Sequence, residues 1–324
     1  MVSGSFGVSF EGRETPEVMR TAVATAESAG ATTIWIASHL FQKEPIAVAA
    51  LALAASRRIG VALMSMSPYS VHPVYAAMAA ATLDEYFPGR VQLCFGVGAP
   101  GDLEAAGIAA PQPLKTLRES IEISRALLAG ESVNFQGERF HVQGRRLVTG
   151  ARPVPIVLAA SGPQMLELAG AIADGVLISA ATAPAFIRWT LDHVRNGEAR
   201  SNRTIRKIAL VFSAVDNAGS VARNRVRRIL AFVLRGAHHA RNLELAGSAL
   251  DQSALAEAYA REDWITVDRL MTDDVISRHA AAGTPEEVRA AFAAYRDVSL
   301  DEIVIAGAAS SDGLRWILDT AHGK

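Results

Sequence analysis

The sequence predicts an α/β chain folded as a (β/α)8 TIM barrel, and three observations carry that prediction. Short apolar runs of strand character recur eight times, at 6–10, 33–36, 59–64, 91–95, 156–159, 175–178, 208–214 and 302–305. A helical pattern follows each of them, at 16–29, 45–57, 73–86, 114–128, 164–172, 184–195, 220–234 and 313–320. The third observation is the stretch from Ala151 to Ser179, which reads as strand, Gly-containing turn, short helix and second strand. Parallel strands cannot be joined by a tight hairpin, so a unit this compact demands a parallel sheet with a crossover helix. Eight alternations fit a closed barrel better than an open doubly wound sheet.

Each element has its own local reason. The strands are short and almost wholly apolar, as strands are when helices cover them outside and side chains fill the space within. The helical patterns beginning at 16, 45, 73 and 184 open on proline, and Ser161-Gly162-Pro163 puts another at a helix start. Proline suits the first helical position because its missing N–H has no intrahelical partner there. Between the fourth and fifth strands, 131–152 exceeds the minimal repeat. Alternation around Gln136-Gly137, over 133–142, predicts a small hairpin there. A second addition, helical in pattern, runs over 238–282 before the start signal Gly283-Thr-Pro-Glu-Glu287. No linker is visible, so 1–324 reads as one domain with two insertions, which wall an active site or form a dimer surface.

Composition bounds the function. Of 324 residues, 50% are hydrophobic and 20% charged, enough for a large core and against disorder. Lys and Arg number 32 against 33 Asp and Glu, so nothing draws the chain to nucleic acid or an anionic membrane. The basic run Arg223–Arg228 reads as a solvated helix face. The lone Cys94, inside an apolar strand, reads as a small buried hydrophobe and excludes a disulfide framework. Met1-Val-Ser-Gly-Ser5 lacks the basic and apolar regions of a leader, and 46–55 is too short to span a bilayer. The expectation is a cytoplasmic protein.

Chemistry is expected at the ends of the strands, where the following loops build the catalytic face. The first strand ends in Ser9 and Glu11, the second in His39, the third in Ser65, Ser67 and His72, and the fourth in Gly96-Val97-Gly98 and Asp102. His39 and His72 are a candidate pair, with a helix cap as the plainer reading of His72. His238 and His239 read as surface or subunit-contact residues, and His279 has no distinctive setting. No tight metal-ligand motif links the histidines and acids, so no metal is expected. Gly96-Val-Gly98 is too little for a dinucleotide fingerprint, but glycine lets backbone approach a flat ligand. Ser161 and Gly162 stand at a helix start, where backbone N–H groups and a hydroxyl hold phosphate or simply cap the helix. Ser179 and Ala180 end the neighbouring strand. Together these residues fit an elongated phosphorylated aromatic cofactor; a phosphosugar isomerase and a nonenzymatic ligand-binding scaffold are the alternatives.

At the level of motifs the sequence resembles the bacterial-luciferase-like flavin and deazaflavin oxidoreductases, especially the methylenetetrahydromethanopterin reductase branch. The matching stretches are Gly30–Phe41, Ser67-Pro-Tyr-Ser-Val-His-Pro73, Ala81–Gly98, Pro155–Gly175 and Gly283-Thr-Pro-Glu-Glu-Val288, in family order along nearly the whole chain. The resemblance implies hydride transfer between a 5-deazaflavin, coenzyme F420, and a small, pterin-like organic substrate. An FMN-dependent monooxygenase or reductase is its alternative. Apart from the resemblance, a homo-oligomer is expected, in the first place a dimer. The resemblance puts Ser161, Gly162, Ser179 and Ala180 at the cofactor phosphate, and Ser65, Ser67 and Gly96–Gly98 near the ring. It makes Glu11 the first candidate for contacting or protonating substrate, and assigns His39 and His72 to ordering cofactor or substrate. Members carry a non-proline cis peptide after the third strand, whose counterpart is Met64–Ser65, with Met64 where the family has glycine.

Overall fold

The computed structural model describes residues 4–308 and 311–324; Met1–Ser3, at the start of the stretch examined for a leader, lie outside them. Eight parallel strands close into a barrel: β1 (Ser5–Phe10), β2 (Thr33–Ala37), β3 (Gly60–Met66), β4 (Val91–Phe95), β7 (Ile156–Ala160), β8 (Gly175–Ile178), β9 (Arg206–Val215) and β11 (Glu302–Ala306). Pairing of β8 with β9 and of β11 with β1 completes the ring. The predicted barrel is present, with every one of its eight strands.

Helices α1 (Pro16–Ser28), α2 (Pro45–Ala54), α3 (Pro73–Tyr86), α5 (Pro113–Leu128), α6 (Pro163–Ile172), α7 (Pro184–Ser201), α8 (Gly219–Leu234) and α14 (Ser311–Ala321) follow the strands in turn. The antiparallel hairpin of β5 (Val133–Gln136) and β6 (His141–Arg145) stands apart from the barrel sheet. Between β9 and β11 come α9 (Ala240–Ala246), α10 (Gln252–Ala260), α11 (Trp264–Leu270), α12 (Asp273–His279) and α13 (Pro285–Arg296). Thr284 caps α13 through a reciprocal capping box with Glu287, as its sequence signal implied. Two elements have no counterpart in the sequence reading. One is the short helix α4 (Pro100–Ala105) after β4; the other is β10 (Ala281–Gly283), which pairs with the end of β9 at Ser213–Val215. Among the described residues no helix is long and apolar enough to cross a membrane.

Alternation along the strands sorts the core into two shells. Phe6, Val8, Ile34, Ile36, Leu63 and Leu93 pack outward against the helices. Trp35, Ala62, Cys94, Val157, Leu177 and Val304 point inward and fill the barrel. At the end where the strands begin, the filling is polar. Glu302, fully buried, accepts the Trp35 indole N–H at 3.0 Å and a guanidinium N–H of Arg206 at 2.8 Å. Arg206 also donates to Gln92 at 3.0 Å. Burial raises the Glu302 pKa, against the opposing pull of Trp35 and Arg206. The interior is closed from that side.

Candidate active site

The open end of the barrel carries a cavity of about 480 Å³. Its lining comes from the C-terminal ends of β3, β4, β7 and β8, with Leu210 from the middle of β9. Met64 and Ser65 meet Gly96, Val97 and Gly98 on one side; Ser161, Gly162, Ser179 and Ala180 lie on the lining from β7 and β8. Leu177, Ile178, Leu210 and Met165 complete an apolar wall. The Met64–Ser65 peptide is cis, at the position singled out in the sequence.

Glycine at 96 is dictated by geometry. A Cβ built there lies 2.5 Å from the Ser65 hydroxyl oxygen and 3.3 Å from the Ala159 Cβ, so any side chain would displace the cis peptide segment. Gly98 adopts φ +98°, a conformation that side chains resist. At the other end, Gly162 precedes α6 as its N-cap without a side-chain cap. The first N–H groups of α6 have no intrahelical partner, the arrangement in which helix starts attract anions, and Ser161 lies beside them on the lining.

Two predicted cofactor residues are not part of the lining: Ser67 is buried behind it, and His72 is exposed. The Ser67 hydroxyl donates to the Val97 carbonyl at 2.6 Å and so braces the Gly96–Gly98 turn. His72 caps α3, its Nδ1 accepting the Val74 N–H at 3.2 Å, and its ring meets Phe140 of the β5–β6 loop edge-on. The helix-cap reading describes its contacts.

His39 is brought to two carboxylates, not to His72. Its Nε2 lies 3.5 Å from Glu11 Oε2, and its Nδ1 lies 3.3 Å from Asp102 Oδ2. The three residues come from just beyond β1 and β2 and from the first turn of α4, far apart in sequence. Ser38, next to His39, donates its backbone N–H to the Met64 carbonyl at 2.6 Å, tying this cluster to the cis peptide. The hydrogen bond to Glu11 raises the His39 pKa above its ordinary 6.5; partial burial opposes that, and the charges of Glu11 and Asp102 add to it. A raised pKa means that the imidazolium's contribution to stability is complete below the unfolded value and is lost as pH rises through the folded one. Following His39 by NMR, Glu11→Gln and Asp102→Asn are each expected to lower its midpoint. An unmoved midpoint in both variants would separate the imidazole from these carboxylates.

Two histidines correct the sequence reading. His239 and His279 are buried, where the sequence placed His239 at the surface and saw nothing around His279. His238 is exposed, in keeping with a surface residue; its ring lies 4.3 Å from that of His239, and partial desolvation lowers its pKa. His279 follows Val275 and Ile276 at helical spacing, a signal that its face is buried. Asn242, also fully buried, was missed altogether. Among the described residues no group of three His, Cys, Asp or Glu is arranged to hold a metal ion.

Comparison with known proteins agrees with this architecture. Over 274 residues, 82% of either chain, the sequence is 31% identical to the 5,10-methylenetetrahydromethanopterin reductase of Archaeoglobus fulgidus. It is 27% identical, over 93% of either chain, to the enzyme of that name from Methanolobus tindarius. Its fold is similar to the coenzyme F420 dependent tetrahydromethanopterin reductase of Methanopyrus kandleri, with a TM-score of 0.90 at 24% identity over 99% of both chains. An F420-dependent secondary alcohol dehydrogenase holding an F420–acetone adduct matches at TM-score 0.80 and 18% identity, over 98% of this chain and 97% of that one. The profile of one family, described as luciferase-like monooxygenase, matches residues 4–302. With the profile spanning nearly every barrel strand, the chain belongs to the luciferase-like monooxygenase family.

Proposed function

We propose that this protein transfers hydride between coenzyme F420 and a small, pterin-like organic substrate. It is a flavin- or deazaflavin-dependent oxidoreductase. The observation that carries the reading is the cavity: an apolar slot with the glycine turn on one side and Ser161, Gly162, Ser179 and Ala180 on its β7–β8 side. That donor set fits a flat ring with a phosphate-bearing tail. The reductase relatives supply the substrate class, and both similar structures are of F420-dependent enzymes. FMN with oxygen is the second reading, favoured by the family's monooxygenase description.

When bound, the coenzyme supplies the hydride-carrying ring; the chain supplies everything around it. Ser65 and the Gly96–Gly98 turn border the ring, and Met64, Val97 and Leu210 exclude water. Ser161 and the N-terminus of α6 hold the phosphate. A substrate reduced by hydride also takes up a proton, and Glu11 delivers it: the carboxylate takes the Nε2 proton of the facing His39 imidazolium and passes it to the substrate, while Asp102 at Nδ1 holds the ring in place.

Titration of the protein with F420 and with FMN, followed spectroscopically, tests the cofactor. Oxygen consumption with reduced FMN would favour the monooxygenase, and binding of neither would overturn both readings. Glu11→Gln keeps the size of the side chain and removes its acid–base capacity. Turnover is expected to fall about 10²–10⁴-fold with cofactor affinity unchanged. Unchanged turnover across pH would take the proton from Glu11.

A further inference from the structure

The helices between β9 and β11 reach back to the loop after β8 through a buried polar cluster that the proposed chemistry leaves unused. Asn242 on α9 closes on that loop twice. Its Oδ1 accepts the Ala183 N–H at 3.0 Å, and its Nδ2 donates to the Ala181 carbonyl at 2.7 Å. His279 on α12 donates from Nδ1 to the same carbonyl at 3.0 Å, while its Nε2 accepts the Ser248 hydroxyl at 2.7 Å. This pattern assigns His279 the neutral, Nδ1-protonated tautomer. The second Nδ2 proton of Asn242 faces His239 Nδ1 at 3.4 Å. From α13, the Tyr295 hydroxyl donates to the Thr182 carbonyl at 3.0 Å.

These bonds hold a conformation, not merely two surfaces. Ala181 has φ +58°, in the left-handed region that alanine disfavours because its Cβ crowds the following carbonyl oxygen. The carbonyl of that residue is the one gripped by both Asn242 and His279. The two residues before it, Ser179 and Ala180, line the cavity. Burial lowers the pKa of His239 to about 3 and of His279 to about 4, so the cluster puts no positive charge behind the loop at neutral pH.

We propose that Asn242 is a positioning residue for the phosphate side of the cavity, holding Ala181 in its left-handed conformation so that Ser179 and Ala180 meet the coenzyme. The inference rests on the cofactor reading above. It makes the helical segment a determinant of cofactor affinity as well as a cover.

The test measures dissociation constants for F420 and FMN, with hydrogen exchange of the cofactor-free protein over residues 179–184. Asn242→Ala is expected to raise the dissociation constant about tenfold or more and to speed exchange in that loop. Substrate KM and kcat at saturating cofactor should stay as in the wild type. A purely structural role would lower the melting temperature and leave affinity, measured well below it, unchanged. Ser248→Ala, which frees His279 at its outer nitrogen, should shift affinity in the same direction by a smaller factor, and it decides the matter if Asn242→Ala does not fold. Wild-type affinity and wild-type loop exchange in a folded variant would overturn the inference alone. If the wild type binds neither cofactor, the functional reading falls and this inference with it.

Discussion

Gly162→Asp is expected to weaken cofactor binding by about two orders of magnitude, near 3 kcal/mol, while leaving the fold intact or slightly more stable. The two effects separate because of where Gly162 sits. Nothing lies within 4 Å of a Cβ built there, so the free protein accommodates the side chain. The position is also the N-cap of α6, where aspartate is among the preferred residues. Its carboxylate would take the backbone N–H groups that a phosphate needs, and repel the phosphate as well. Ser161→Ala, which removes one hydroxyl, should cost less, about 1–3 kcal/mol if the lost hydrogen bond is charge-assisted. Titration of each variant, with its melting temperature as a folding control, checks both. Wild-type affinity in a folded Gly162→Asp protein would move the phosphate elsewhere.

Gly170→Val should cause the largest loss of stability, roughly 3 kcal/mol or more. Helices α6 and α7 cross at Gly170 and Gly197, each backbone resting on the other. A Cβ built at Gly170 falls onto the Val194 carbonyl, and lies 2.9 Å from the Glu198 nitrogen and 3.0 Å from the Gly197 Cα. One at Gly197 falls onto the Glu167 carbonyl. Backbone atoms cannot rotate aside, so the helices must separate. Replacing glycine inside a helix would otherwise gain a few tenths of a kcal/mol in propensity, too little to reverse the sign. Urea denaturation measures the loss; an unchanged midpoint would mean that the crossing relaxes without cost.

The barrel was legible because its boundaries are written in strong local signals. Pro16, Pro45, Pro73, Pro163 and Pro184 each open the helix that follows a barrel strand. Helix α4 escaped notice because it spans only six residues, begins without a side-chain cap and contains Gly101. Strand β10 escaped because three small residues, Ala281–Gly283, carry no alternation of their own. For the cavity, strand-end position was enough to find Ser65, Gly96–Gly98, Ser161, Gly162, Ser179 and Ala180, while Met64 came from the family resemblance. Position alone could not separate residues that face the cavity from their neighbours, hence the buried Ser67 and the exposed His72. Asp102 was visible as a strand-end acid, but its pairing with His39 depends on how α4 turns. Asn242 and His279 were out of reach because their partners are backbone atoms of a loop some sixty to one hundred residues away.

The buried Glu302–Trp35–Arg206 group has a kinetic meaning. Glu302 and Trp35 are sealed from solvent, and the inward residues above them fill the barrel's waist. The molecule is therefore a vessel with one mouth. Whatever binds in the cavity enters and leaves by that doorway; were two ligands bound there at once, the deeper would leave last, and a chain that reshapes its upper loops would change that order without disturbing the floor.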